Sequence, residues 1–206
     1  MRVASIVVVL AAIVWQAVDL ARHDAFDPSR FFAYFTVQSN LIGVVAFGWL
    51  LARRRVGRTR ALESFRGAAS AYLVVTFTVV ILLLSDADVG LAVNWVDFVL
   101  HKAFPVVVVL DWLLDPPTVR LDARDAVAWT VYPIAWTVVT MVRGALDGWY
   151  PYPFLDPAGG GYGPVALTIA AITIGFLGLA AALVGIGNRR SQASGPPRPS
   201  SAGSPL

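Results

Sequence analysis

The chain has 206 residues, of which 57% are hydrophobic and 14% charged, with a formal net charge of +3 and a mean hydropathy of +0.68. That balance excludes an ordinary soluble domain and places most of the chain in lipid. Cysteine is absent, which excludes disulfides, thiolate nucleophiles and cysteine-ligated metals.

In chain order, six apolar stretches cover 3–21, 31–52, 67–85, 95–114, 126–142 and 165–187. A bilayer core takes roughly 20 helical residues, so each is long enough or nearly so, the fifth being the shortest. The expected fold is all-α: a multi-pass membrane protein of six transmembrane helices. The first stretch follows Met1-Arg2 as a secretory leader would. It is too long for one, carries Gln16 and Asp19, and has no small-x-small cleavage site, so a retained helix is expected.

The bases set the orientation. Arg2, the six arginines within 53–66, Arg120, Arg124, Arg189, Arg190 and Arg198 fall on one side, and only Arg22, Arg30 and Arg143 on the other. Arg-rich loops stay inside, which places both termini in the cytoplasm. The basic run 53–66 lies between two apolar helices and reads as a topogenic loop on anionic lipid, with no nucleic-acid partner expected. Residues 191–206, rich in Pro, Ser and Gly, are expected to form a disordered cytoplasmic tail after a membrane domain of 1–190. No internal repeat supports an inverted-repeat transporter. Fifteen of the 16 bases are Arg, and with heavy Ala, Val and Gly usage this points to a GC-rich bacterial genome and a bacterial plasma membrane.

Polar groups within lipid need a partner or a purpose. The second stretch carries Thr36, Gln38, Ser39 and Asn40, four hydrogen-bonding side chains in five positions. They suit interhelical bonding, Ser39 above all, or a functional site. The fourth stretch carries Asp97 and His101, four apart on one helical face, where a carboxylate can orient an imidazole. Lys102 points about 100° away from His101, to snorkel outward or to pair with an acid on another helix. Pro105 withholds a backbone donor beneath the His and leaves a carbonyl that something must satisfy.

Both stretches start on the outer side, so Thr36 lies about 8 Å and His101 about 9 Å below that boundary, at one level. Gln16 and Asp19 end the first helix on the same side. Tyr132, Trp136 and Arg143 lie in the outward half of the fifth and join the substrate-facing candidates, as do Gln38 and Asn40. The aromatic, proline-containing stretch 143–156 reads as an interfacial belt or a substrate-facing loop. The Gly-rich stretch 159–163 lacks the context of a phosphate loop and reads as a flexible connector. Asp111 is expected to anchor the inner end of the fourth helix or to cap a neighbour. Asp19, Asp97 and His101 are ligand types for a metal, but their spacing does not make them converge, so neither metal nor cofactor is expected.

The stretch 32–40 around Thr36, His101 four residues before Pro105, Tyr132-Pro133 with Trp136, and the stretch 143–156 together resemble the androgen-induced protein family, in its bacterial six-span branch. The resemblance covers residues 1 to about 187. It implies an intramembrane hydrolase of fatty-acid esters of hydroxy fatty acids, with Thr36 as nucleophile and His101 as its base. Asp97 as orienter follows from the spacing, and Gln38 or Asn40 as oxyanion donors from proximity. The partners expected are membrane lipids and a lipid-ester substrate. Two other readings stand beside the hydrolase: a binder or transporter in which Asp97 and His101 relay protons or hold a polar ligand, and a structural protein whose polar layer only joins helices.

Overall fold

The computed structural model describes residues 1–84 and 94–193, and every element within them is helical. The order is α1 (Arg2–Arg22), a one-turn α2 (Pro28–Phe31), α3 (Phe35–Ala52), α4 (Arg60–Leu83), α5 (Asn94–Phe98), a π-helical turn (Val99–Ala103), α6 (Phe104–Leu114), α7 (Ala123–Trp129), α8 (Val131–Asp147), two short 3-10 turns (Pro153–Leu155 and Pro157–Gly159) and α9 (Tyr162–Ala193). Among the described residues, five stretches are long and apolar enough to cross a membrane: Arg2–Arg22, Phe35–Ala52, Arg60–Leu83, Ala123–Asp147 and Tyr162–Gln192. Val7, Leu82, Val139, Leu167 and Ile174 face outward, whereas Asn40, Glu63, Arg66, His101 and Asp111 are buried. Apolar outside and polar inside is the distribution that lipid imposes.

Local chemistry moves several boundaries. Asp27 accepts from the amides of Ser29 and Arg30, and Pro28 follows it at the first helical position, so a separate turn forms before residues 32–34 unwind. The second stretch therefore becomes helical for good only at Phe35. The third starts at Arg60, well before 67, because Thr59 Oγ1 caps Leu62 N at 3.2 Å; Ser85 at its expected end lies outside the described residues. The fifth is longer than expected at both ends. Asp122 and Asp125 close a capping box before α7, and α8 continues to Asp147, where Gly148 adopts a left-handed φ of 72°. Helix α9 runs through Ala193, three residues into the expected tail, and 194–206 lie outside the described residues.

Two prolines disturb the backbone ladder, and in each case a side chain from a neighbouring helix repairs it. In the π-helical turn the amide of Phe104 donates to the carbonyl of Val99, five residues back. The next donor in that register belongs to residue 105, aimed at Leu100, and proline has none. Asn40 Nδ2 donates to the Leu100 carbonyl instead, at 3.0 Å. Likewise Pro133 withholds the donor that the Trp129 carbonyl would take in α register, and the Tyr72 hydroxyl supplies it at 2.9 Å. The unwound carbonyls of Phe32 and Ala33 accept from Gln38 Nε2 at 2.6 Å and Trp136 Nε1 at 2.9 Å. In hydrocarbon, irregular backbone persists only when it is satisfied in this way.

At the end of the bundle away from Thr36, the Arg-rich segment is neutralised by carboxylates. Arg66 is buried with Glu63 (3.3 Å) and Asp111 (3.0 Å), and its guanidinium lies 5.1 Å from the Trp112 ring centroid. Arg2 reaches Asp111 at 2.8 Å and also bonds Asp115; Arg58 reaches Asp115 at 2.5 Å and Glu63 at 3.3 Å. Three cations thus meet three anions contributed by α1, the segment before α4, α4 itself and the end of α6. Asp111 is a shared acceptor for two helices rather than an interfacial anchor. Asn188 of α9 completes this end by bonding both the amide and the carbonyl of Leu121, at 3.0 and 2.8 Å. Helix α8 contrasts with it, burying only Thr140 and Gly144.

Candidate active site

Thr36 is the second residue of α3, behind an N-cap, Tyr34, whose side chain makes no capping bond. The first-turn amides of a helix have no partner within the helix, and their dipoles point outward. Here the Thr36 amide donates to the Tyr152 hydroxyl at 3.3 Å. Tyr152 arrives from the loop after α8 and is nearly fully buried, its ring packed against Tyr34, Trp136 and Phe154.

Thr36 Oγ1 lies 3.1 Å from His101 Nε2 and 3.3 Å from Tyr152 Oη, and His101 Nδ1 lies 2.8 Å from Asp97 Oδ1. With Asp97 ionised, its oxygen can only accept, so Nδ1 carries the proton and Nε2 is a lone pair. The Thr36 hydroxyl then donates to Nε2 and accepts from Tyr152, whose oxygen in turn accepts the Thr36 amide. Every donor in the chain has one acceptor. Burial pushes the Tyr152 phenol up to about 12, against the pull of its bonds to Thr36, so it remains a neutral donor.

The π-helical turn shapes the other side. Widening the turn brings Lys102 over Asp97 as well, with Nζ 3.6 Å from Oδ2. Lys102 therefore pairs with an acid on its own helix, not on another. Asn40 fastens the two halves of the site together: its Nδ2 donates to the Thr36 carbonyl at 2.8 Å as well as to Leu100. With both protons so used, Asn40 has none for an oxyanion, and its Oδ1 is buried with no partner among the described residues. Ser39 is interhelical glue, bonding the Thr36 carbonyl at 3.1 Å and Thr76 Oγ1 at 3.0 Å.

The remaining sequence candidates bond elsewhere. Gln38 accepts from the Tyr132 hydroxyl and donates to Phe32, so these two candidates satisfy each other and not Thr36. Trp136 packs on Phe35 and lines a cavity beside Thr36. Arg143 belongs to α8 rather than to the loop, and it engages Ser29, Asp147 and the face of Trp149. Asp19 pairs with His23 at 3.9 Å. Among the described residues, no group of three His, Asp or Glu side chains could hold a metal ion. Tyr152 is the residue that sequence reasoning missed; its only signal was an aromatic between two prolines, in a stretch whose composition also suits an interfacial belt.

The cavity has a volume of ≈ 220 Å³ and is walled by α4, α8 and α9, with Thr36, Tyr152, Val80, Ile134 and Phe176 among its lining residues. A hydroxyl, an imidazole and a carboxylate in hydrogen-bonded series, beside a phenol donor and an apolar space, can carry out acyl transfer. No family model matches the chain, and no curated protein or solved structure matches it.

Proposed function

We propose that the chain is an intramembrane hydrolase of lipid esters, with Thr36 as nucleophile, His101 as general base and Asp97 as the residue that orients the imidazole. One observation carries this reading: Thr36 Oγ1, His101 Nε2 and Asp97 form one hydrogen-bonded series, with separations of 3.1 and 2.8 Å. A threonine hydroxyl is a poor nucleophile until a base takes its proton, and this is the arrangement that activates one. The resemblance of 32–40, His101 and 143–156 to the androgen-induced protein family supports the same assignment.

In the first half-reaction the Thr36 proton passes to His101 Nε2 as Oγ1 bonds to the ester carbonyl carbon, and the carbonyl electrons move to oxygen. Tyr152 Oη is the donor beside Thr36 that serves this oxyanion, the phenol being released from Oγ1 as Oγ1 bonds to carbon. Collapse breaks the bond to the alkoxy oxygen, which takes the proton from His101. Water, deprotonated by His101, then attacks the Thr36 ester; collapse breaks the bond to Oγ1, which takes the proton back from His101 as the acid is freed. Asp97 stabilises the imidazolium formed on the way, while Lys102, 3.6 Å from the same carboxylate, takes up part of its charge.

The topology that fits this chemistry has six crossings. Asn94–Phe98, the π-helical turn and Phe104–Leu114 follow one another without a gap and supply the sixth, as a helix interrupted at the catalytic His. The excess of Arg at the end away from Thr36 supports an orientation with both termini in the cytoplasm and the site near the outer face. A fluorophosphonate probe on the full chain in detergent tests the reading. Wild type labels, and Thr36→Ala and His101→Ala do not while melting as wild type does; ester turnover falls about 10²–10⁴-fold in His101→Ala. Labelling that survives both substitutions would sink it.

A further inference from the structure

Resting on the hydrolase reading, we propose that the apolar cavity beside Thr36 is an acyl-chain site, filled from the bilayer between α8 and α9 by a long unbranched acyl group whose ester carbonyl stops at Thr36. Thr36 and Tyr152 are in the cavity wall, whereas His101 and Asp97 are not. The nucleophile therefore stands between its base on one side and the cavity on the other. The group that remains on Thr36 after the first half-reaction must lie on the cavity side. The alkoxide leaves toward His101 Nε2, which returns the proton. The cavity thus selects the acid half of the ester and is indifferent to the alcohol.

The wall suits an alkyl chain despite its threonines. Thr76, Thr130, Thr137 and Thr173 each donate their hydroxyl proton to a carbonyl of the preceding turn, so no proton is left over for a ligand in the cavity. The lining extends from Val75 on α4 to Leu84 just past its end and from Thr130 just before α8 to Val138 on it, a length of about 12 Å at the helical rise, which holds about eight carbons of an extended chain. Phe176, its ring 5.9 Å from Tyr72 and nearly parallel to it, lines the α9 side. Ile134 and Val138 line the cavity and are also exposed on the outer surface of the bundle. The space is therefore open sideways at α8, where lipid would lie, and carbons beyond the eighth extend into the bilayer.

The test uses the full chain in phosphatidylcholine vesicles with p-nitrophenyl esters from acetyl to hexadecanoyl, and with octanoyl esters of varied alcohols. Expressed per bilayer mole fraction, which removes the gain from leaving water, kcat/KM should rise through wall contacts by less than about twofold per added methylene as far as about eight acyl carbons and then level off. Alcohol length should change it by less than about threefold. Ile134→Trp and Val138→Trp should lower the ratio of hexadecanoyl to acetyl turnover more than about tenfold. The acyl site is overturned if the two turnovers fall together, if neither falls, or if the alcohol governs the rate. If no ester of any length is cleaved in a Thr36-dependent way, the hydrolase reading fails and this one with it.

Discussion

Asn40 on α3 donates to the carbonyl of Leu100, one residue before the candidate base, and thereby replaces the amide that Pro105 lacks. The same nitrogen holds the carbonyl of Thr36. One side chain therefore sets the separation between the two helices that carry the nucleophile and the base. Asn40→Leu leaves the Leu100 carbonyl without a donor and should destabilise the protein by about 1–3 kcal/mol. In a Pro105→Ala background the restored amide can serve Leu100 or His101, so the same substitution should cost measurably less. A double-mutant cycle on unfolding in detergent reads the coupling, and strict additivity would contradict this account.

Tyr152→Phe keeps the ring against Tyr34, Trp136 and Phe154 and removes only the hydroxyl that faces Thr36. If that hydroxyl serves the transition state, kcat for an ester should fall about 10²–10³-fold with KM nearly unchanged. A rise in KM at constant kcat would instead mark Tyr152 as a ground-state contact.

The loop that carries Tyr152 is seated by Gly144. A Cβ built there would meet the Tyr150 ring at 2.1 Å, so Gly144→Ala must push Tyr150 aside and shift Tyr152 two residues on. Turnover should drop about 10- to 100-fold through misplacement alone. Fluorophosphonate labelling of Thr36 should slow in parallel, with little change in melting temperature.

Asp111 accepts from both Arg2 and Arg66 and is buried. Asp111→Asn leaves the buried Arg66 guanidinium undercompensated, and a loss of about 3–5 kcal/mol is expected. The exposed pair Arg30 with Asp27, 3.6 Å apart, offers the contrast: Arg30→Ala should change stability by no more than about 1 kcal/mol. Thermal unfolding of both variants in one detergent compares them directly.

Acid should loosen the same end of the bundle. Burial raises the Asp115 carboxyl, but bonds from Arg58 and Arg2 outweigh it and hold the group below its ordinary value of 3.8. Amides at the start of α7 lower Asp122 in the same direction. A depressed folded value means that the stabilisation is complete above the ordinary carboxylate range and is lost as pH falls through the folded value. Melting temperature should therefore be flat from pH 7 to about 5 and decline below about 4. Asp115→Asn should flatten that decline.

Axial position was legible in the sequence, because helical rise is constant: counting residues from the ends of two apolar stretches put Thr36 and His101 at one depth, and their side chains lie 3.1 Å apart. Azimuth was not. Which way Gln38 and Tyr132 turned depended on the unwinding of 32–34, and they face each other rather than the nucleophile. The π-helical turn has no periodic signature; Pro105 announced an orphan carbonyl, but not that Asn40 would supply the missing donor. Charge counting identified the Arg-rich end, yet the pairing of Arg66 with Glu63 and Asp111 depends on how α4 meets α6. Tyr152 belongs to an irregular loop, where neither period nor propensity fixes direction.

The ion cluster around Arg66 and the sparsely packed α8 sit on one framework and divide its rigidity unequally. Three helices are bolted together at one end, while α8 leans on its neighbours through a few rings. Breathing motions will concentrate where the bolts are absent, along the flank that Ile134 and Val138 share with the surroundings. A guest can come and go there by displacing one helix slightly, while Asn40 keeps Thr36 and His101 in register. The same unevenness gives hydrogen exchange a direction: amides of α8 should exchange before those of α4, although both lie in apolar helices.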